Sequence, residues 1–172
     1  MIKQYLPPKS AKLLSILLLS AIFSSGLSSG VFAKGISVQT LDGQDGQFGD
    51  HISKDKWTIV MVWTTYCGVC RQEYPKISAF HERHKDSKAV VLGVSLDGFS
   101  TGEKVEAYRQ EHQHAFPSLL ANAAEFAEPY ELTTGTNFSG TPTYLIFDDK
   151  QQLQAFKNGK LDVDELEAFM TD

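Results

Sequence analysis

Residues 62–75, VWTTYCGVCRQEYP, hold the strongest structural signal in the sequence. It begins at the end of an apolar segment, residues 57–63, whose two apolar faces predict a strand buried between helices. It continues into residues 67–85, where apolar side chains recur at a spacing of three to four and predict a helix. Both cysteines of the chain, Cys67 and Cys70, therefore fall where a buried strand gives way to a helix.

This position favours thiol chemistry. Free backbone N–H groups and the positive end of the helix dipole stabilise a thiolate, which lowers the pKa expected for Cys67 and makes it a better nucleophile. A spacing of two residues lets the sulfur of Cys70 reach that of Cys67 and resolve a mixed disulfide. The sequence thus predicts Cys67 and Cys70 as a catalytic pair that cycles between dithiol and disulfide.

A C-x-x-C motif by itself also serves other chemistry. Covalent haem attachment needs His directly after the second cysteine, and Arg71 stands there. A zinc site could recruit His81 and His84, but a continuous helix separates Cys70 from His81 by roughly 16 Å. We therefore expect no metal and no cofactor, and a metal-binding module without catalysis stays as an alternative.

The chain of 172 residues divides into two segments of different composition. Residues 1–33 carry three lysines, no acidic residue and the apolar run 13–23, which is typical of a secretory signal peptide cleaved after Ala33. A retained membrane anchor is the alternative, although the apolar run is about half the ~20 residues that span a bilayer. Residues 34–172 form one acidic domain with a formal charge of −8, which argues against a nucleic-acid binder.

The domain alternates strand-like and helix-like segments, which predicts an α/β fold with three layers. We expect a mixed central sheet with flanking helices, parallel at its centre and antiparallel at one edge. Pro75 is expected to bend the first helix and Pro129 to break the third. The predicted strands are 36–41, 57–63, 88–96, 116–120, 143–147 and 153–156, and the predicted helices are 67–85, 101–112, 123–130 and 162–170.

A second motif, Gly140-Thr141-Pro142-Thr143, precedes the strand at 143–147. Together with residues 62–75 it resembles the thioredoxin-like proteins, and among them the exported TlpA and ResA type of thiol-disulfide oxidoreductase. The resemblance covers most of residues 36–170. It also includes, in the same order along the chain, Val91 to Asp97, Phe116 to Leu120, Gly140 to Phe147 and Gly159.

The resemblance implies a thioredoxin-like sandwich and assigns roles to the site residues. Cys67 would be the exposed nucleophile and Cys70 the buried resolving thiol. Pro142 would follow a cis peptide bond and leave the backbone of Thr141 to pair with an extended substrate. Glu73 matches the acidic position three residues after the second cysteine, where it either tunes the thiols or is a solvated acid of the first helical turn.

Several positions depart from the family pattern or lie outside it. Met61 replaces the buried Asp of cytosolic thioredoxins, and Tyr66 and Val69 stand where Trp and Pro are common. Residues 133–139 form a polar insert that borders the cysteine site, expected to be a flexible surface loop, with a part in substrate selection as the alternative. Trp57 and Trp63 are expected in the core or near the site, and His51, His112 and His114 on the surface.

The leading hypothesis is a monomeric thiol-disulfide oxidoreductase of the bacterial periplasm or cell envelope that reduces disulfides in exported proteins. A membrane-embedded thiol relay of the DsbD-like kind would supply its electrons, and substrates of cytochrome c maturation are compatible with this role. An oxidase or isomerase is the first alternative, because the motif does not set the direction of electron flow. A peroxidase is weaker, since we identify no Thr-x-x-Cys together with a matching Arg.

Overall fold

The strands and helices follow the predicted alternation. The structure is a computed structural model that describes residues 3–4 and 35–171, and within them it has eight strands, four helices and two 3-10 turns. The strands are β1 (Lys3–Gln4), β2 (Ser37–Thr40), β3 (Asp45–Gln47), β4 (Trp57–Trp63), β5 (Ala89–Ser95), β6 (Ser118–Leu120), β7 (Thr143–Phe147) and β8 (Leu153–Asn158). The helices are α1 (Gly68–His84), α2 (Gly102–Glu111), α3 (Ala123–Thr134) and α4 (Val163–Phe169), and the 3-10 turns are Phe48–His51 and Phe99–Thr101.

All eight strands form one mixed sheet in the order β1-β8-β7-β4-β5-β6-β2-β3. Strands β4, β5 and β6 run parallel, while β7 and β8 on one side and β2 and β3 on the other run antiparallel to their neighbours. The mixed sheet is confirmed, but antiparallel strands lie at both edges and not at one. The parallel centre brings the carboxyl ends of β4 and β5 to the same edge of the sheet.

Each face of the sheet carries its own apolar cluster, because successive side chains of a strand point to opposite faces. On β4, Ile59, Met61 and Trp63 pack with residues of α1, α2 and α4. Val60 and Val62 point the other way and pack with α3. Helices therefore cover both faces, which gives the predicted three layers and confirms the thioredoxin-like α/β class.

Neither helical proline ends its helix. Pro75 lies inside α1, which is a single helix from Gly68 to His84. Pro129 lies inside α3, so the prediction of a helix broken near residue 130 was wrong. Phe126 and Tyr130 are fully buried on this helix, and their packing stabilises it despite the hydrogen bond that a proline cannot donate.

The predicted signal peptide falls almost entirely outside the described residues. Within it only Lys3 and Gln4 are described, and they pair antiparallel with Phe156 and Ala155 of β8. Cleavage after Ala33 and the domain boundary at residue 34 stay predictions. No helix in the described part of the chain has the length and hydrophobicity needed to cross a bilayer.

Candidate active site

Cys67 and Cys70 form a disulfide at the amino-terminal end of α1, with 5.2 Å between their Cα atoms. Cys67 is the residue that caps the helix, and its sulfur accepts a hydrogen bond from the backbone N–H of Cys70 at 3.1 Å. Cys67 is half-buried, whereas Cys70 is fully buried in the cluster that contains Tyr74. Of the two cysteines, only Cys67 therefore has surface exposed to solvent.

The turn between β4 and α1 is fixed from two sides. Cys67 N donates to the carbonyl of Thr64 at 3.2 Å, which closes the turn. Thr65 donates twice to Asp97, through its backbone N–H at 2.9 Å and its hydroxyl at 2.7 Å. Because Asp97 follows β5, the neighbouring strand anchors the segment that presents Cys67.

The loop before β7 lies beside the same end of β4. The antiparallel register pairs Val62 with Thr143, so Pro142 comes next to the end of β4, from which the chain leads to Cys67. The Thr141–Pro142 peptide bond is cis, as the resemblance implies. Thr143 stabilises this loop by donating its hydroxyl hydrogen to the carbonyl of Gly140 at 2.6 Å.

Glu73 is buried, with only 2% of its surface exposed, so the interpretation as a solvated acid was wrong. Its Oε2 atom accepts from the backbone N–H of Leu161 at 2.8 Å and from the hydroxyl of Tyr144 at 3.3 Å. Its Oε1 atom lies 2.9 Å from the ammonium of Lys76. Burial and, next, the charge of Glu73 raise the pKa of Tyr144, which keeps this hydroxyl a hydrogen-bond donor at ordinary pH.

Behind the disulfide lies an aromatic cluster formed by Trp63, Tyr74, Tyr108, His114 and Phe116. The ring of His114 stacks on Tyr74 with a centroid distance of 4.6 Å and meets Trp63 edge-on at 4.9 Å. His114 is 5% exposed, so its expected surface position was wrong. Burial, followed by the charge of Arg109, lowers its pKa to about 2, and the imidazole is therefore neutral.

The residues that depart from the family pattern take distinct positions. Met61 is fully buried on the face of the sheet that also holds Cys70. Tyr66 is 81% exposed and Val69 is 40% exposed, so an apolar surface flanks Cys67 on both sides in the sequence. Trp63 lies in the core, as expected. Trp57 is half-buried and packs against the same core cluster.

The insert at 133–139 begins inside α3, and Gly135 ends that helix in the left-handed conformation, with φ of 68°. Phe138 then packs on Phe126 and Tyr130 with ring distances of 5.4 and 5.3 Å. These contacts belong to the face of the sheet opposite the cluster of Cys70. A part in substrate selection stays a prediction.

The histidines that could have joined a zinc site have other partners. His81 accepts a hydrogen bond at Nδ1 from the backbone N–H of Val91, and His84 lies 3.0 Å from Glu167. The continuous helix also separates them from the cysteines, as the length argument required. Across residues 3–4 and 35–171, no group of three or more His, Cys, Asp or Glu side chains is placed to hold a metal ion.

Thr64 supplies a feature that the sequence interpretation overlooked. It stands three residues before Cys67, so the Thr-x-x-Cys spacing of peroxidases is present after all. Its hydroxyl is buried and has no hydrogen-bond partner among the described residues. Half of the peroxidase combination is thus present, and a matching arginine is still not identified.

The profile of the AhpC/TSA family matches residues 30–156, which include the disulfide, the Asp97 anchor and the cis-proline loop. The chain belongs to the AhpC/TSA family. Two curated proteins from Bacillus subtilis are similar in sequence to this chain. The thioredoxin-like protein YneN is 26% identical over 142 residues, which cover 83% of this chain and 78% of YneN. Sporulation thiol-disulfide oxidoreductase A is 23% identical over 130 residues, which cover 75% of this chain and 73% of that protein.

Solved structures agree on the fold of this AhpC/TSA member. The thioredoxin domain of a thiol-disulfide oxidoreductase from Bacteroides vulgatus superposes with a TM-score of 0.64 at 23% identity, over 84% of this chain and 99% of that domain. StoA from Bacillus subtilis superposes with a TM-score of 0.59 at 20% identity, over 81% of this chain and 99% of StoA. The chain is a thioredoxin-like member of the family, of the thiol-disulfide oxidoreductase type, with Cys67 and Cys70 as its cysteine pair.

Proposed function

We propose that the protein reduces disulfide bonds in other proteins and that Cys67 and Cys70 are its catalytic residues. The observation that carries this proposal is the asymmetry of the pair: Cys67 is partly exposed at a helix terminus, and Cys70 is fully buried. Thiol-disulfide exchange with another protein needs one sulfur that meets a large partner and a second that only the first can meet. The curated relatives named thiol-disulfide oxidoreductases support thiol-disulfide exchange as the chemistry of the pair.

The cycle conserves atoms and electrons. The Cys67 thiolate attacks one sulfur of the substrate disulfide, forming a mixed disulfide and releasing the other substrate sulfur as a thiolate that takes up a proton. Cys70, after losing its proton, attacks Cys67 and releases the second substrate sulfur, which is protonated in turn. Two electrons and two protons pass to the substrate, and the Cys67–Cys70 disulfide remains.

The loop at Thr141 and Pro142 is the proposed substrate-binding element. The strand register places it beside the end of β4, next to the turn that presents Cys67. An extended substrate segment could add its backbone to the loop while its disulfide meets Cys67. Exposed Tyr66 and Val69 supply apolar contacts at the same point.

Glu73 is the proposed group that tunes the thiols. It lies one helical turn after Cys70, is buried, and is fixed by Leu161, Tyr144 and Lys76. A carboxylate held so close to a buried thiol can take or return the proton that Cys70 exchanges in each cycle. Glu73 would then exchange the proton of the buried cysteine, as the buried Asp does in cytosolic thioredoxins, where this chain has Met61 instead.

The proposed location is the periplasm or cell envelope of a bacterium, with the protein acting as a monomer. The basic and then apolar composition of residues 1–33 supports export. After each turnover the disulfide needs an electron donor, and a DsbD-like membrane thiol relay is the donor proposed. Exported proteins with disulfides are the substrates, those of cytochrome c maturation among them.

The experiment compares wild-type protein with C67S and C70S in reducing the disulfides of insulin, with dithiothreitol as the electron source. C67S should lose turnover, because no nucleophile remains. C70S should also lose turnover. When it is first reduced, then freed of dithiothreitol and mixed with insulin, it should accumulate a mixed disulfide through Cys67, visible as a mass increase that added dithiothreitol reverses. Equal turnover in all three proteins, or a mixed disulfide on Cys70 of C67S in place of one on Cys67 of C70S, contradicts the mechanism.

A further inference from the structure

Asp97 connects the end of one central strand to the turn that carries the nucleophile. Its two carboxylate oxygens accept three hydrogen bonds: from Thr65 N at 2.9 Å, from Thr65 Oγ1 at 2.7 Å and from Ser95 Oγ at 2.6 Å. The Asp97 backbone also forms an antiparallel bridge with Asn122. The carboxylate is therefore bound by its own strand and by the cysteine turn, and the Asp97 backbone is bound by the segment before α3.

The sheet topology sets this contact. Trp63 and Ser95 are register partners on the parallel strands β4 and β5, and Thr65 and Asp97 each follow two residues later. Two residues of chain span at most roughly 7 Å, so Cys67 lies close to the Thr65 backbone that Asp97 binds. A negative charge consequently stands near the sulfur at which a thiolate must form.

The negative charge of Asp97 also affects an ionisable side chain in the core. The pKa of Tyr74, one helical turn after Cys70, is raised by burial first, then by Tyr108, and also by Asp97. Arg71 on the same helix acts in the opposite direction. Further ionisable groups near the cysteine pair are Glu73 on α1, Tyr144 on β7, Tyr108 and His114 of the aromatic cluster, and Tyr66 directly before Cys67.

We propose that Asp97 is a positioning residue for the cysteine pair and that its charge makes the pair a stronger reductant. The inference rests on the proposed function, since it concerns the same dithiol. The charge disfavours the Cys67 thiolate, which exists only in the reduced state. Destabilising the reduced state shifts the equilibrium toward the disulfide, so that electrons leave the protein more readily.

The size of the effect follows from Coulomb's law. At an effective dielectric constant of about 20, a unit charge roughly 10 Å away changes an ionisation equilibrium by about tenfold. The D97N variant should therefore move the pH midpoint of Cys67 alkylation about one unit lower. Its dithiol should be up to about tenfold harder to oxidise by glutathione disulfide at pH 8, which corresponds to about 30 mV.

Two variants separate charge from positioning. T65V removes one donor to Asp97 but keeps the carboxylate, so the charge account predicts no downward shift of the alkylation midpoint. D149N removes an exposed acid from the turn between β7 and β8 and is the matched control for net charge. One portion of each reduced protein is alkylated with iodoacetamide across pH 5–10, and the modified cysteine is identified by mass spectrometry. A second portion is equilibrated with reduced and oxidised glutathione, and its oxidised fraction is measured.

The predicted result is a lower alkylation midpoint and weaker reducing power in D97N alone, with a difference that shrinks as salt is added. An unchanged D97N, an upward shift, or the same shift in T65V or D149N overturns the inference. Failure of the proposed function gives a different pattern. Wild-type protein would then not reduce insulin, while the glutathione equilibrium would still report the effect of Asp97.

Discussion

The hydroxyl of Tyr144 donates a hydrogen bond to Oε2 of Glu73 at 3.3 Å, and both side chains are buried between β7 and α1. The same oxygen accepts the backbone N–H of Leu161, which precedes α4. One carboxylate thus connects a central strand, the helix that carries the cysteines and the terminal segment. Removing this carboxylate would leave two buried donors, the N–H of Leu161 and the hydroxyl of Tyr144, without their acceptor.

We predict that E73A lowers the free energy of unfolding by about 2–4 kcal/mol, because the N–H of Leu161 and the hydroxyl of Tyr144 lose their acceptor. E73Q keeps the volume and one acceptor oxygen and should cost about 1 kcal/mol. Guanidinium denaturation of the oxidised proteins measures both. E82A, exposed on the same helix, is the control and should leave stability almost unchanged. Equal stability of E73A and E82A would show that the carboxylate contributes nothing to the fold.

The neutral, buried His114 predicts acid sensitivity. In the unfolded chain this imidazole binds a proton below about pH 6.5, whereas in the folded state its pKa is lowered to about 2. Stability should therefore fall as the pH drops below 6.5, by about 2 kcal/mol at pH 5 from this residue alone. Buried His81, whose pKa is also lowered by burial, adds to the loss with the same sign.

H114F tests this, since it removes the titrating group and keeps an aromatic ring in the cluster. The difference in unfolding free energy between pH 7.5 and pH 5 should be smaller in H114F than in wild-type protein. A constant packing cost cancels in that difference. H112Q, which removes a half-buried imidazole, is the matched control. A pH difference in H114F as large as in wild-type protein would contradict the assignment.

Gly93 marks a close approach between β5 and β6. A Cβ atom there would lie 2.1 Å from Ser118 Oγ and 2.9 Å from Trp63 Nε1. G93A should therefore lower the free energy of unfolding by about 2–3 kcal/mol. The double variant G93A/S118A removes the nearest atom and should recover more than half of the loss. If S118A does not compensate in the double variant, the contact is not the cause.

The local parts of the site could be predicted from the sequence. The three-to-four spacing of apolar residues predicted a helix that starts at the cysteines, because periodicity is a property of neighbouring residues. The two apolar faces of residues 57–63 predicted the central strand in the same way. The cis bond before Pro142 came from the resemblance alone, since nothing in the local sequence distinguishes it from an ordinary trans bond.

Contacts between distant segments could not be predicted in this way. Thr65 and Asp97 are 32 residues apart, and only the register of β4 on β5 brings them together. Glu73 has the residue type and position of a solvated acid, and its burial depends on Leu161 and Tyr144. An isolated histidine has no periodicity, so the aromatic pocket around His114 left no signal in the sequence.

The reduction potential of the Cys67–Cys70 pair determines whether the protein reduces disulfides or forms them. The pair is equilibrated with glutathione or thioredoxin couples of known potential, and the oxidised fraction is measured by thiol alkylation and mass spectrometry. A protein that reduces disulfides should have a potential near that of thioredoxin, about −270 mV. A potential near that of a strong oxidant, about −120 mV, would reverse the direction of electron flow and contradict the reductase assignment.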